Sequence, residues 1–116
     1  MKPSCDAKNY PEGYFSCPVR RALSVISGKW KILIIYELSA GTQRFNALKR
    51  NMAGVSQRLL TAQLRALEDD GVVHREVKEV VPPHVEYSLT AKGRNLIPLL
   101  EALETWGAAE IAGRNG

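Results

Sequence analysis

The sequence has little of several residue types that define common classes of small protein. Cysteine and histidine occur twice each, at positions 5, 17, 74 and 84, which is too few for a disulfide scaffold and gives no zinc-ligand spacing. The longest unbroken apolar run, Ile32 to Tyr36, is far too short to span a bilayer, and the N-terminus lacks the apolar core of a signal peptide. We therefore expect no metal, no cofactor and no membrane association, and a cytoplasmic location.

Length and composition describe one globular domain. The 116 residues are 45% hydrophobic and 24% charged, which excludes a disordered or collagen-like chain. A chain of this length buries roughly two thirds of the surface that its unfolded form exposes, but it is too short for an enzyme with a separate cofactor domain. We predict an N-terminal arm over residues 1–16 and a single domain over residues 17–112.

The charge is distributed unevenly along the chain. The net charge is +4, and residues 1–16 contribute nothing to it because their charges cancel. Residues 17–65 carry nine basic side chains and one acidic one, Glu37, which gives +8, whereas residues 66–116 carry five basic and nine acidic side chains, which gives −4. An anionic partner is therefore expected at the first half of the chain.

Three helices are predicted in that half before residue 51. Proline suits the first turn of a helix, so Pro18 is expected to open a helix that runs to about Ser27 and ends at Gly28. The isoleucine-rich segment 29–38 could form a strand, but its length and its flanking glycines favour a mostly buried helix. A third helix is expected from about Phe45 to Arg50.

The next helix has the clearest boundaries. Ser56 can cap its N-terminus, and it should continue through Asp70 to a terminating Gly71. At 100° per residue, one stripe is apolar and consists of Leu60, Leu64 and Leu67. The remaining surface carries polar and basic side chains: Gln57, Arg58, Thr61 and Arg65.

Alternation replaces the helical period after Gly71. Residues 73–79 are expected to point alternately to two faces, with Val73 and Val77 on the same one, and residues 85–89 alternate apolar and polar side chains. With the proline-containing segment 81–84 between them, these runs predict a β-hairpin of two antiparallel strands. Thr90 is then expected to cap a last long helix with apolar residues at helical spacing up to Trp106. Pro98 predicts a kink in that helix or a late start.

This order of elements is that of a winged helix-turn-helix, a mainly helical α+β fold with a two-stranded wing and a C-terminal dimerisation helix. In a DNA-bound form, Gln57 and Thr61 could contact base edges and Arg58 could donate two parallel bonds to guanine. Contacts to phosphates are then expected from Arg65 and from four further residues: Arg44, Lys49, Arg50 and Ser56. Three alternatives stay open: an ordinary solvated helix face, a winged helix that binds protein or RNA, and a thiol-dependent enzyme.

Five segments resemble the HxlR family of bacterial transcriptional regulators, which are relatives of MarR. They are CPVRRAL from residue 17, GKWKILII from 28, RFNAL from 44, GVSQRLLTAQLRAL from 54 and PPHVEYSLTAKG from 82. The resemblance implies a homodimer that binds an inverted-repeat operator. It places the dimer interface in the arm and the last helix, where we assign Tyr14, Phe15, Leu99, Leu103 and Trp106. We expect a repressor and not an activator, because occlusion of a promoter needs nothing beyond binding.

The wing departs from the family pattern at one position. The family usually has arginine after the two prolines, and this chain has His84. Together with Lys78, His84 is our candidate for a wing contact with DNA. A mostly neutral imidazole fits an electronegative minor groove less well than arginine does.

Cys17 is the candidate for a chemical sensor. It stands beside the predicted N-terminus of the first helix, where the helix dipole and two neighbouring arginines would favour the thiolate. Family members with cysteine at this position often sense oxidants or electrophiles, so the resemblance implies that role and a thiol-reactive effector. The alternative is a half-buried small residue at the dimer interface, and we expect Cys5 to be an exposed thiol without a role.

Overall fold

The computed structural model describes residues 17–115. The predicted helices and hairpin are present in the predicted order, with one added short strand and a divided last helix. Our predictions for the arm, including those for Cys5, Tyr14 and Phe15, lie outside the described residues. The elements are α1 (Pro18–Ile26), α2 (Lys29–Leu38), β1 (Gln43–Arg44), α3 (Phe45–Asn51), α4 (Gln57–Asp69), β2 (Val73–Lys78), β3 (His84–Leu89), α5 (Ala91–Arg94) and α6 (Ile97–Asn115). No helix in this part of the chain is long and apolar enough to cross a membrane.

The core lies between α2 and α4. The segment 29–38 is a helix, as its flanking glycines indicated, and Ile34 and Ile35 are fully buried in it. The predicted leucine stripe of α4 is also buried, with Leu60, Leu64 and Leu67 no more than 1% exposed. Each such side chain stabilises the fold by about 1.5–3 kcal/mol relative to an exposed one. The apolar stripe therefore fixes which face of α4 is turned toward solvent.

The sheet has three strands, and the expectation of two was incomplete. The predicted hairpin is present as β2 and β3, with Val73 opposite Leu89 and Lys78 opposite His84. The two-residue β1 adds to the other edge of β3 and gives the order β1-β3-β2. Two residues are too few to show the alternation by which a strand is predicted from sequence. β1 is a strand only because β3 supplies its hydrogen-bond partners.

A compact joint connects the wing to the last helix. Thr90 caps α5 by accepting a hydrogen bond from the Gly93 N–H, and its hydroxyl lies 2.6 Å from the Gly71 carbonyl oxygen. Lys92 donates to the carbonyl of Asp70 at the end of α4. The predicted last helix is thus divided, because α5 ends at Arg94 and α6 starts late, at Ile97, with Pro98 in its first turn.

Gly93 is the tightest position in this joint, and its replacement should be costly. A Cβ there would lie 2.2 Å from the carbonyl oxygen of Val72, which accepts the backbone hydrogen bond of Thr90. We expect Gly93→Ala to lower the free energy of unfolding by about 1–3 kcal/mol, measured by urea denaturation. Gly113→Ala is the control, because a Cβ there meets no atom within 4 Å. Equal stability of the two variants would show that the backbone around Val72 shifts to accommodate a Cβ at position 93 without a cost in free energy.

Candidate nucleic-acid interface

The turn between α3 and α4 sets the position of the candidate recognition helix. Gly54 in this turn has φ +93°, a conformation that favours glycine, and Val55 beside it is buried. Ser56 then begins α4 as predicted, since its hydroxyl oxygen accepts a hydrogen bond from the Leu59 N–H at 3.0 Å. The N-terminal turn of α4 is therefore held by both a buried residue and a cap.

The outward face of α4 carries the predicted base-contacting residues. A shallow cavity of about 510 Å³ is lined by Gln57, Arg58, Thr61, Ala62 and Arg65. Gln57, Arg58 and Arg65 are exposed, and the Thr61 hydroxyl donates to the carbonyl of Gln57 at 2.8 Å. Because its proton is used inside the helix, the Thr61 oxygen can serve a DNA base only as an acceptor, for example from an adenine or cytosine amino group.

The candidate phosphate contacts lie on two sides of this helix. Lys49 and Arg50 are exposed in the last turn of α3, and Arg44 is exposed on β1. Arg44 and Arg50 also line a cleft of about 540 Å³ that the wing tip closes with residues 82–85. The structure thus brings α3 and the wing together, although about 30 residues or more of sequence separate them.

Both candidate wing residues are engaged with acidic side chains. Lys78 lies 3.0 Å from a carboxylate oxygen of Glu76, and His84 Nε2 lies 2.8 Å from one of Glu86. The other ring nitrogen of His84, Nδ1, lies 3.3 Å from the carbonyl oxygen of Pro82. Both contacts of His84 lie within the wing, so its ring stabilises the wing in this structure. The side chain most exposed at the wing tip is Val81, at 99%.

Arg75 is a candidate contact that we did not predict. It is exposed on β2, and with Thr61, Arg65, Glu68 and Tyr87 it lines a cavity of about 270 Å³ between α4 and the wing. Its position opposite Tyr87 follows from the strand register, which the alternation of β2 and β3 alone does not determine. The sequence does contain a signal for this contact, because Arg75 is a basic residue on a predicted wing strand.

Cys17 lies at the predicted position, at the N-terminus of the first helix. It is the N-cap residue of α1, as the neighbouring proline indicated, and it is 1% exposed. Its sulfur is disulfide-bonded, which is the oxidised form of a cysteine. Within residues 17–115, no group of three histidine, cysteine or acidic side chains could hold a metal ion.

The predicted dimerisation residues in the described part of the chain lie on α6. Leu99, Leu103 and Trp106 are 39%, 51% and 68% exposed, and residue spacings of three and four place them on one face of the helix. Large apolar side chains rarely form such a continuous exposed stripe on a monomeric protein. Their exposure in a single chain is what an interface with a second chain requires.

Comparisons with known proteins give a consistent result. The family model described as HxlR-like helix-turn-helix matches residues 25–114. The HTH-type transcriptional regulator YybR of Bacillus subtilis is 48% identical over 102 residues, which cover 88% of this chain and 82% of YybR. The redox regulator HypR in its oxidised form is 50% identical, with a TM-score of 0.77 over 80% of this chain and 96% of HypR. The reduced form of YodB from B. subtilis is 33% identical, with a TM-score of 0.70 over 78% and 89% of the two chains.

The His84–Glu86 contact makes a prediction about acid titration. The hydrogen bond from His84, with a smaller contribution from Lys78, lowers the pKa of the Glu86 carboxyl. The ionised Glu86 carboxylate therefore stabilises the wing above the usual pKa of glutamate, and this stabilisation is lost as the pH falls through the lowered value.

Carbon-13 NMR titration of the glutamate carboxyls measures this shift. We expect Glu86 to titrate below the usual range of glutamate in the wild type and to move upward in His84→Gln. An unchanged midpoint in that variant would mean that the contact is absent in solution.

Proposed function

This chain is a DNA-binding transcriptional regulator of the HxlR-like helix-turn-helix family, and we propose that it is a homodimeric repressor that binds an inverted-repeat operator. The observation that carries the proposal is the outward face of α4, where polar and basic side chains are exposed on a helix whose opposite face is buried. We propose residues 1–16 as an arm, residues 17–112 as the regulatory domain, and the cytoplasm as its location. Occlusion of a promoter needs only binding, which favours repression.

We assign different tasks to the residues of the interface. Gln57, Arg58 and Thr61 would contact base edges in the major groove, because they lie on the first two turns of α4. Phosphate contacts would come from the surrounding residues Arg44, Lys49, Arg50, Ser56 and Arg65. We add Arg75 to this second group, because it lines the same side of the molecule as Arg65. Lys78 and His84 would support the wing through Glu76 and Glu86 and meet DNA secondarily.

Dimerisation would use the exposed stripe of α6. Leu99, Leu103 and Trp106 provide its apolar surface, and pairing with a second copy would remove them from water. An inverted repeat needs two recognition helices about one helical turn of DNA apart, which a single chain does not supply. Sedimentation velocity of the free protein measures the mass of the assembly against 12.9 kDa for one chain.

Cys17 would make DNA binding responsive to oxidants or electrophiles. The sequence has two cysteines, so a disulfide within one chain requires Cys5 as the partner of Cys17. Its formation removes two protons and two electrons from the thiols, and an oxidant such as diamide accepts them and becomes the corresponding hydrazine derivative. Because Cys17 caps α1, the change would alter how α1 is held and, through it, the spacing of the two recognition helices.

Arg58 and Lys49 should differ in what they contribute to binding. Operator sequences are first selected from genomic fragments with the purified protein. We then expect Arg58→Ala to weaken operator binding by about 1–3 kcal/mol and to reduce the preference over random DNA, because a bidentate contact to guanine is lost. Lys49→Ala should weaken binding to both sequences alike and flatten the salt dependence. Fluorescence anisotropy with labelled duplexes at several salt concentrations measures both effects.

The same measurement decides between DNA and other partners. A large ratio of operator to random-sequence affinity, with steep salt dependence, supports the proposed function. Equal losses on both DNAs for Arg58→Ala would reduce that residue to a phosphate contact. We expect no catalysis, since both histidines lie on the hairpin and a thiol nucleophile needs a base within hydrogen-bond reach. Turnover of a peroxide or aldehyde by the isolated protein would reverse that expectation.

Removal of the Cys17 thiol should abolish the redox response. In the wild type we expect diamide to change operator affinity and dithiothreitol to restore it, whereas Cys17→Ser should bind the operator alike under both conditions. Cys5→Ser is the second variant, and it should also lose the response if the disulfide forms within one chain. A response that persists in Cys17→Ser, or a wild type that responds to neither diamide nor methylglyoxal, would refute the sensor role.

A further inference from the structure

The surface between α2 and α6 contains a groove that the DNA-binding function does not use. This groove has a volume of about 380 Å³, and its walls are mostly apolar, with Ile32 and Leu33 on α2 and Leu103 and Ile111 on α6. Leu33 and Ile111 are 39% and 62% exposed. Such a surface can hold an apolar group of small-molecule size.

The polar boundary of the groove is formed by one pair of side chains. The Tyr36 hydroxyl donates to a carboxylate oxygen of Glu104 at 2.5 Å, which links α2 to α6, and this bond raises the pKa of Tyr36. Tyr36 and Glu104 also line an adjoining cavity of about 390 Å³, to which Glu37 and Glu101 contribute two further carboxylates. The apolar groove therefore continues into an acidic cavity across the Tyr36–Glu104 pair.

The charge of this region selects the kind of ligand. Within the described residues, neither cavity is lined by lysine, arginine or histidine, whereas three glutamates line the two together. A carboxylate without a basic neighbour beside an apolar wall repels anions and attracts cations, and the exposed ring of Tyr36 adds a surface on which a cation can rest. The same charges repel the phosphates of nucleic acid.

The groove and the proposed dimer interface use different faces of α6. The groove residues Leu100, Glu104, Gly107 and Ile111 follow helical spacing, and the stripe of Leu99, Leu103 and Trp106 is rotated from them by about 100° around the helix axis. Leu103 borders both faces. A second copy on the stripe would thus leave the floor of the groove accessible from the α2 side.

We propose that the α2–α6 groove binds an organic cation with an apolar body, which packs on the apolar walls while its positive charge lies against Glu104 and Tyr36. A bound cation could also influence the recognition helix α4 indirectly, through α2. α2 contributes Tyr36 to the groove and Ile34 and Ile35 to the core that supports α4. An effect of the cation on DNA binding rests on the proposed function, whereas binding of the cation does not.

Two ions of the same size and shape but opposite charge test the site. Tetraphenylphosphonium and tetraphenylborate are titrated separately into the full-length protein, without DNA, by isothermal calorimetry. We expect the phosphonium to bind at least about fivefold more tightly than the borate, because only its charge complements the glutamates. Equal affinity, or tighter binding of the borate, would overturn the proposal.

Three variants locate the binding. Glu104→Gln can still accept the Tyr36 hydrogen bond, and it should weaken phosphonium binding by about fivefold or more. Glu79→Gln removes the same charge from the exposed end of the wing and should leave the affinity unchanged. Gly107→Leu introduces a side chain where a Cβ has open space, and it should block the groove without unfolding α6. If Glu104→Gln and Gly107→Leu bind the phosphonium as the wild type does, the site is not this groove.

Two further measurements separate the remaining outcomes: phosphonium binding at increasing protein concentration, and operator affinity with and without phosphonium. If phosphonium binding disappears as sedimentation shows the chain to associate, a second copy covers the groove and the proposal fails. Operator affinity is then measured with and without phosphonium in a separate experiment. Failure of operator binding in all conditions would refute the proposed function while leaving the calorimetric result for the groove intact.

Discussion

The burial of the α4 leucines against α2 is the constraint on which the interface depends. Leu60, Leu64 and Leu67 share one helical stripe with Ile34 and Ile35 as their partners in the core. Since a helix has only one rotation about its axis that buries this stripe, the opposite side of α4 must face solvent. Arg58 and Arg65 are exposed for that reason, and Gln57 is exposed on the flank of the stripe in the first turn of the helix. The recognition surface is thus a consequence of core packing.

The distribution of charge follows the same division of the molecule. The basic excess of residues 17–65 includes the exposed residues of α3 and α4, which surround the candidate interface. The acidic residues of α6 are accompanied within the helix by a single basic residue, Arg114, and two of them, Glu101 and Glu104, lie along the groove with α2. Repulsion of phosphates by this second surface would favour the proposed orientation, in which α4 meets DNA.

Much of the fold was predictable because its signals are local. The cap at Ser56, the leucine stripe and the glycine after α4 each depend on neighbouring residues, and all three are present as predicted. The hairpin and the family membership were also confirmed. What could not be read from the sequence depends on residues far apart. The strand β1 exists only beside β3, and the hydrogen bond of Tyr36 to Glu104 joins two helices across 68 residues of chain.

The sequence by itself determined the order of the elements, the apolar stripes and the unequal charge of the two halves, because periodicity, caps and composition act over a few residues. The tertiary structure decided which charged side chains are committed to one another and which can meet a partner. Lys78 and His84 are held by acidic neighbours, Arg75 joins the α4 side of the molecule, and Tyr36 meets Glu104 across 68 residues of chain. The Tyr36–Glu104 contact and the position of Arg75 arise because the core brings distant elements together, since a side chain reaches only a few ångströms beyond its own backbone. The contacts of Lys78 and His84 each join residues two positions apart on one strand, and they depend on how the side chains are oriented there.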